Sequence, residues 1–331
     1  MTETILKVEN LSKTYKTSRG VVSALDGIGL EIKRGEVLGL VGESGCGKST
    51  LAKALMRLIE VDNGKIELDG VDLLSLQGEA LRKQRHRFQM IFQDPFASLN
   101  PREKVSSILE APLVVHGRGS AAERRQRVEW LMQKVGLRPE MADRLPHEFS
   151  GGQRQRIGIA RAIALNPEFI ICDEPVSALD VSVRAQVMNL LADLRKEFSL
   201  SYLFISHDLS IVRHIADRVA VMYLGRLVEV GSPRKIFSAP AHPYTRALLD
   251  SFPAPDPAAA ASKSRQILRG EVPSPINPPT GCRFHPRCPM AKEICSRERP
   301  VLRSMTHGDS VACHFPLNGE HLVREPDLLI S

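Results

Sequence analysis

The sequence predicts an α/β fold with a central parallel sheet, an antiparallel β-subdomain, a helical subdomain and a small irregular C-terminal extension that contains cysteines. The apolar run EVLGLVG is typical of a strand buried on both faces of a parallel sheet. A glycine-rich turn and an amphipathic helical segment follow it, which is one arm of such a fold. The stretch after Gln93 is charged and helix-rich, and the strand pattern returns at Phe149.

The first eighty residues alternate short strands and turns. In IGLEI, alternation predicts a strand with Ile28, Leu30 and Ile32 on one face. The helix after the glycine turn is expected to bury Leu51, Ala54, Leu55, Leu58 and Ile59.

The second half predicts two more buried strands, FIIC and LFIS, followed by a hairpin that turns near Gly225. The segment PAPDPAAAASKSR is a linker by composition. The sequence contains no internal repeat, so we expect one nucleotide unit per chain. The helix between the two strands is expected to bury Val183, Val187, Leu190, Leu191, Leu194 and Phe198.

GESGCGKST matches the phosphate-loop pattern G-x-x-x-x-G-K-S. The glycines let successive backbone N–H groups curl around a phosphate at the start of a helix. Lys48 is placed to reach the β- and γ-phosphates, and Ser49 to ligate Mg²⁺. The expected nucleotide-binding residues of the loop are Gly42, Ser44, Gly45, Cys46, Gly47, Lys48, Ser49 and Thr50.

The strand FIIC ends in the acidic pair Asp173 and Glu174. Asp173 is expected beside the metal, and Glu174 can orient and deprotonate the attacking water. Alone this pattern is weak, because an apolar run before Asp-Glu is more often a plain strand end.

Three further motifs, FSGGQRQR, SALD and ISHD, follow in order. With the phosphate loop, they resemble the ATP-binding cassette family of transporter ATPases, which implies a P-loop NTPase core with a RecA-like sheet. The resemblance also implies a head-to-tail dimer in which one chain's signature contacts the γ-phosphate held by its partner. The matching signature residues are Ser150, Gly151, Gly152 and Gln153.

The resemblance assigns four more roles. Gln93 matches the glutamine that reaches Mg²⁺ and links the nucleotide site to the membrane partner. Asp180 matches the acidic residue at the dimer seam, and His207 the histidine that holds the γ-phosphate and positions the water. Tyr15 matches the aromatic residue that stacks on adenine. The expected domains are an ATP-binding core (1–93 and 149–235), a helical subdomain (94–148) and the extension (236–331).

FQDPFASLNPR, AHPYTRALL and PSPINPPTGCRFHPRCP resemble the oligopeptide and dipeptide importers, especially the second of their two ATPase subunits. The resemblance implies a paralogous ATPase subunit, two membrane-spanning permease subunits and an extracytoplasmic peptide-binding protein as partners, and no nucleic acid. It places the chain peripherally at the cytoplasmic face of the inner membrane. The alternatives are an importer of nickel or another small solute, and a soluble cassette ATPase without a transport role.

Four of the six cysteines lie near the C-terminal end, namely Cys282, Cys288, Cys295 and Cys313. The chain start lacks a secretory signal and no apolar run could span a bilayer, so we expect a cytosolic protein with reduced thiols. Their wide spacing favours a [4Fe–4S] cluster over zinc, although His285, His307 and His314 add candidate ligands and neither metal is a third alternative.

The segment around these cysteines is basic, with nine Lys or Arg and three Asp or Glu between Lys263 and Arg303. We expect this charge to offset a negatively charged metal centre and to lower the thiol pKa values. The segment has few large apolar residues, so a metal is expected to hold it together. Because the phosphate loop lies in another predicted domain, ATP binding is expected to survive the loss of Cys288.

Overall fold

Two β-sheets carry the fold. The computed structural model describes residues 3–251, 271–305 and 309–317. The larger sheet has eight strands in the order β11-β12-β10-β9-β3-β8-β7-β6, and the smaller has four in the order β2-β1-β4-β5. The strands are β1 Thr4–Thr17, β2 Gly20–Lys33, β3 Val37–Val41, β4 Asn63–Leu68, β5 Val71–Asp72, β6 Phe88–Ile91, β7 Phe169–Asp173, β8 Ser201–Ile205, β9 Arg218–Tyr223, β10 Arg226–Gly231, β11 Arg303–Ser304 and β12 Ser310–Val311.

Parallel pairing forms the centre of the larger sheet. β3 lies between β8 and β9 and is parallel to both, and β7 pairs in parallel with β6 and β8. All residues of β3, β7 and β8 are buried, because helices and the smaller sheet cover both faces. The predicted fold class is confirmed, and the predicted hairpin turns through Leu224 and Gly225.

Eleven α-helices are assigned within the described ranges. They are α1 Lys48–Leu55, α2 Gly78–Gln84, α3 Pro95–Ser98, α4 Val105–Val115, α5 Ala121–Lys134, α6 Gly151–Ile163, α7 Val181–Phe198, α8 Leu209–Ile215, α9 Pro233–Ser238, α10 Pro243–Asp250 and α11 Glu293–Arg297. Short 3₁₀ turns occur at Pro139–Met141, Pro146–Glu148 and His285–Arg287. No helix in the described part of the chain is both long and apolar enough to cross a bilayer.

Two helices differ in detail from the predicted burial. α1 is shorter than expected, because Arg57 adopts a left-handed conformation (φ 52°) that ends the helix and leaves Leu58 50% exposed. In α7, the predicted positions Val187, Leu191 and Leu194 are buried. The other three predicted positions are only partly buried against the core, namely Val183, Leu190 and Phe198.

The C-terminal extension joins the main sheet. β12 pairs with β10 at Glu229 and Val230, and β11 pairs with β12. Phe284 is 1% exposed and belongs to the same hydrophobic core as the central strands. The segment therefore packs against the core of the ATP-binding domain, which the sequence did not predict, and added stabilisation by a metal stays a prediction.

Asp26, on β2, binds three arginines. Its carboxylate accepts hydrogen bonds from Arg226 at 2.8 Å, from Arg283 at 2.6 Å and from Arg299 at 3.3 Å. Burial alone would raise the pKa of Asp26, but the hydrogen bond and charge of Arg226 and the charges of the other two lower it overall. Arg283 is 5% exposed, so its charge depends on this carboxylate.

We expect Asp26→Ala to destabilise the chain by about 3 kcal/mol, because it leaves Arg283 buried without its counter-charge. Limited proteolysis should then cut the extension faster than in the unaltered protein. Glu293→Ala is the control, because its pair with Arg297 is exposed and contributes less than about 1 kcal/mol. Denaturant unfolding of both variants measures the difference, and equal losses would contradict the role of Asp26.

Candidate functional site

A cavity of about 620 Å³ lies beyond the carboxyl end of β3, between the phosphate loop and the β1–β2 hairpin. Its size suits a nucleotide-sized ligand. The predicted site residues that line it are Tyr15, Ser44, Gly45, Cys46, Gly47, Lys48, Ser49, Thr50, Gln93, Glu174 and His207. The lining residues that the sequence did not predict are Val22, Ser23, Ala24, Leu224, Gly225 and Pro275.

Two glycines of the phosphate loop lie so close to neighbouring backbone that a side chain would not fit. Gly42 has φ 156°, and a Cβ there would lie 2.2 Å from the carbonyl oxygen of Met222. Gly47 has φ 110° and precedes α1, and a Cβ there would lie 2.4 Å from the carbonyl oxygen of Ala24. The loop is therefore pressed against the β9 strand and the β2 backbone, with α1 beginning at the cavity.

Lys48 and Ser49 lie at the start of α1, directly after the glycines of the loop. The Lys48 side chain is buried, and Nζ donates to the carbonyl oxygens of Gly42 at 2.8 Å and Glu43 at 3.0 Å. Ser49 Oγ donates to Asp173 Oδ1 at 3.3 Å. A hydroxyl and a carboxylate thus lie together at the mouth of the loop, which suits a Mg²⁺ ion carried by a nucleotide.

Glu174 is strained and tied to two polar neighbours. Its φ is 47°, uncommon for a residue with a side chain, and its N–H donates to the Ile205 carbonyl oxygen at 3.0 Å. Gln93 Nε2 donates to Glu174 Oε2 at 3.1 Å, and His207 Nδ1 lies 3.0 Å from the same oxygen. Three residues distant in sequence therefore meet at one carboxylate.

Burial raises the pKa of Asp173, because the carboxylate is 5% exposed. The Ser49 hydrogen bond opposes this shift, the Glu174 charge adds to it, and Lys48 lowers it again. A divalent cation at this place would favour the charged carboxylate, so Asp173 is suited to metal binding.

The structure does not bring the signature residues to this cavity. Ser150 begins α6, where its Oγ accepts the Gln153 N–H at 3.3 Å and its N–H donates to Gln153 Oε1 at 2.9 Å. Asp180 begins α7 and is exposed. As far as the chain is described, Asp180 and the four signature residues Ser150, Gly151, Gly152 and Gln153 lie apart from the cavity lining.

The extension contacts the phosphate loop, which the sequence did not predict. Arg287 donates to both oxygens of Glu43, and Tyr244 OH accepts the Glu43 N–H at 2.9 Å. Arg287 immediately precedes Cys288. The phosphate loop and the segment that carries Cys288 are therefore in contact, and the survival of ATP binding after a change at Cys288 stays a prediction.

The four C-terminal cysteines line a second, small cavity. They are free thiols, and Phe284 and Phe315 form part of the same wall. Of the three histidines that line this cavity, two face backbone carbonyls, since His285 Nδ1 lies 2.9 Å from Cys282 O and His314 Nε2 lies 3.0 Å from Glu298 O. The third, His242, accepts the Tyr244 N–H at Nδ1 at 3.0 Å. His307 lies outside the described residues.

The pKa values of three of these thiols are raised, whereas the basic charge of the segment predicted lower values. Burial raises the pKa of Cys313 to about 12 and also raises that of Cys282 and Cys288. The expected lowering was wrong because the nearby guanidinium groups bind carboxylates instead, Arg283 at Asp26 and Arg287 at Glu43. The basic charge of the extension thus offsets anions of the core.

In their present side-chain positions, no three or more His, Cys, Asp or Glu of residues 3–251, 271–305 and 309–317 are placed together as metal ligands. A zinc ion needs its thiolates about 4 Å apart, since each Zn–S bond is about 2.3 Å long. Loading any metal centre here therefore requires the cysteine side chains to move.

The phosphate loop, the two carboxylates behind it and the sheet order define a P-loop ATPase. Comparison with known sequences is more specific, and the chain belongs to the ATP-binding cassette transporter family. The ABC transporter family model matches residues 25–177, and the model of the oligopeptide/dipeptide transporter C-terminal region matches residues 228–295.

Several relatives and solved structures are similar to this chain. The oligopeptide transport ATP-binding protein AppF of Bacillus subtilis is 52% identical over 321 residues, 95% of this chain and 98% of the relative. The dipeptide transport ATP-binding protein DppF of Haemophilus influenzae is 51% identical over 315 residues, 93% of this chain and 96% of the relative.

The dimeric ATP-binding cassette MJ0796 bound to ADP and Pi has a TM-score of 0.64 and 32% identity, covering 69% of this chain and 99% of that one. The cassette cbiO1 of Clostridium perfringens has a TM-score of 0.63 and 32% identity, covering 72% of this chain and 92% of that one.

We expect Asp173→Asn to raise the melting temperature of the nucleotide-free chain at pH 7 by roughly 1–3 °C. The variant removes a desolvated charge while its amide oxygen can still accept from Ser49. A buried acid with a raised pKa costs stability above that pKa, so the gain should shrink as the pH falls toward about 4.

Mg²⁺-dependent ATP hydrolysis should be lost in the same variant. Asp193→Asn is the control, since Asp193 is exposed on α7. Thermal melts across pH test the stability claim, and a lower melting temperature for Asp173→Asn at pH 7 would contradict it.

Proposed function

We propose that this chain is the ATP-hydrolysing subunit of an importer of dipeptides and oligopeptides. The observation that carries the proposal is the extension: residues 228–295 match the C-terminal region of such transporters, and the same segment packs against the phosphate loop. Two relatives at 51–52% identity are named as oligopeptide and dipeptide transport proteins.

In the proposed reaction, Lys48 binds the β- and γ-phosphates and Ser49 and Asp173 hold Mg²⁺ with Gln93. Glu174 accepts the proton of the attacking water, and its contact with His207 keeps the carboxylate and the imidazole on one side of the γ-phosphate. Tyr15 stacks on the adenine. Mg²⁺ supplies charge neutralisation between the phosphates when it is bound.

A second cassette completes the site. The Ser150 signature lies apart from this chain's own cavity, which supports the use of the signature on a partner chain. MJ0796, a dimeric cassette, is similar in fold. We infer that the partner is a paralogous ATPase subunit, and that Asp180 lies at the seam between the two chains.

The permease subunits would dock beside Gln93. A groove of about 450 Å³ lies between β6 and helices α4 and α6, lined by Gln89 of β6 and by Val115, which is 57% exposed. β6 leads directly to Gln93, so an occupant of the groove would touch the strand that ends at the nucleotide site. Docking there would hold the chain at the cytoplasmic face of the inner membrane, with a binding protein delivering peptide on the other side.

We also propose that the four cysteines hold a [4Fe–4S] cluster. The donor set fits, because four thiols and an apolar wall surround one cavity. A cluster places its thiolates on separate irons, so they stand farther apart than around one zinc ion. The cavity is about 20 Å³, smaller than a four-iron core, so the side chains of the cysteines would rotate outward on loading. The cluster would cross-link a segment that has few large apolar residues of its own.

Reconstitution tests the transport proposal. Proteoliposomes that contain this chain, a paralogous ATPase and two permease subunits should take up a tripeptide when ATP and the binding protein are supplied. Glu174→Gln should keep ATP binding but lower turnover by ~10²–10⁴-fold and abolish uptake, because the water lacks its base. Lys48→Ala should instead weaken ATP binding. Uptake of Ni²⁺ but of no peptide would replace peptides with the small-solute alternative.

Metal analysis tests the cluster. Protein purified without oxygen should be brown, with iron and acid-labile sulfide near four atoms each per chain. Cys288→Ser should remove the colour and speed proteolysis of the extension, whereas Cys46→Ser, in the phosphate loop, should keep the iron. Colourless protein with about one zinc would replace the cluster with a zinc site. Protein with neither metal would overturn both.

A further inference from the structure

Arg287 reaches from the extension into the phosphate loop. Its Nη1 donates to Glu43 Oε2 at 2.9 Å and its Nη2 to Glu43 Oε1 at 3.2 Å, a bidentate ion pair. The guanidinium side chain is 5% exposed and Glu43 is 21% exposed. Tyr223 OH lies 3.4 Å from the same Nη1, whereas the buried Nε has no hydrogen-bond partner in the described part of the chain. A pair this well enclosed is less screened by solvent than a surface pair.

Glu43 is linked directly to the phosphate-binding lysine. Its carbonyl oxygen accepts from Lys48 Nζ at 3.0 Å, and its N–H donates to Tyr244 OH at 2.9 Å. Tyr244 and Tyr223 pack ring to ring with Phe284 of the extension. The second residue of the loop is therefore held at its backbone and at its side chain by groups that belong to the extension or pack on it.

The charge of Glu43 also acts inside the loop. Burial is the main cause that raises the pKa of Cys46, and the Glu43 carboxylate adds to it. A nucleotide triphosphate carries several negative charges, so an uncompensated carboxylate in its binding loop would repel it. Arg287 places a permanent positive charge against that carboxylate.

We propose that Arg287 is a positioning residue for ATP: it cancels the charge of Glu43 and fixes the loop that carries Lys48. The extension thereby contributes to nucleotide affinity. This inference requires the ATP site alone and does not depend on the solute carried or on the metal in the thiol cavity.

The test measures ATP and ADP binding to the full chain, purified without oxygen, in the presence of Mg²⁺. Arg287→Gln should weaken ATP binding by about tenfold, and ADP binding by less, because ADP carries less negative charge to be repelled. Arg287→Lys keeps the charge but loses the bidentate geometry, so it should weaken ATP binding by only about two- to threefold. Arg297→Gln, an exposed position of the extension, is the control and should leave both affinities unchanged.

A double-mutant cycle with Glu43→Gln distinguishes two roles of Arg287: cancelling the charge of Glu43, and holding the loop in place without any effect of charge. In the Glu43→Gln background, Arg287→Gln should weaken ATP binding by less than about twofold, since no carboxylate is left to compensate. In the assembled transporter, Arg287→Gln should raise KM for ATP by a larger factor than it lowers kcat.

Three results would overturn the proposal. They are equal losses for ATP and ADP, a loss that persists undiminished in the Glu43→Gln background, and a Lys variant as weak as the Gln variant. If Arg287→Gln does not fold, the proposal is still tested by the Arg287→Lys variant and by the Glu43→Gln/Arg287→Gln double variant. Thermal melts of each variant identify a folding failure.

Discussion

The shape of the phosphate loop depends on close backbone contacts behind it. The loop has few apolar side chains to bury, so it is shaped by its neighbours: Gly42 against the Met222 carbonyl oxygen and Gly47 against that of Ala24. The Met222 carbonyl belongs to β9 and the Ala24 carbonyl to β2, and the burial of residues 219–223 makes the β9 side of this support rigid. The cavity, the start of α1 and the contacts to the extension all follow from the position of this loop.

The two carboxylates proposed to act in hydrolysis lie next to the loop because strands distant in sequence pack side by side. β7 delivers Asp173 and Glu174, β8 ends just before His207, and β6 ends just before Gln93. These strands are neighbours in the sheet and parallel, so their carboxyl ends meet at one edge. The left-handed backbone at Glu174 turns its side chain to meet Gln93 and His207, and this local strain is stable because Ile205 fixes the Glu174 N–H.

The basic charge of the extension does not by itself show which anions its side chains bind. Its basic residues are numerous enough to suggest a partner anion, yet the anions lie in the core, at Asp26 and Glu43. Guanidinium groups satisfied by carboxylates no longer stabilise thiolates, so burial dominates the thiols. The extension packs on the ATP-binding domain and contacts the phosphate loop through Arg287.

The sequence alone predicted the central strands, most helix faces and eleven of the residues that line the cavity, because these depend on short-range periodicity and on motifs with fixed spacing. Leu58 was misjudged because a single left-handed residue ended α1. Only the tertiary structure decided that Pro275 lines the nucleotide cavity, that β12 joins the main sheet and that Arg287 binds Glu43. Each of these features brings together residues at least 50 positions apart, and no local pattern encodes which distant partner satisfies a buried charge or a strand edge.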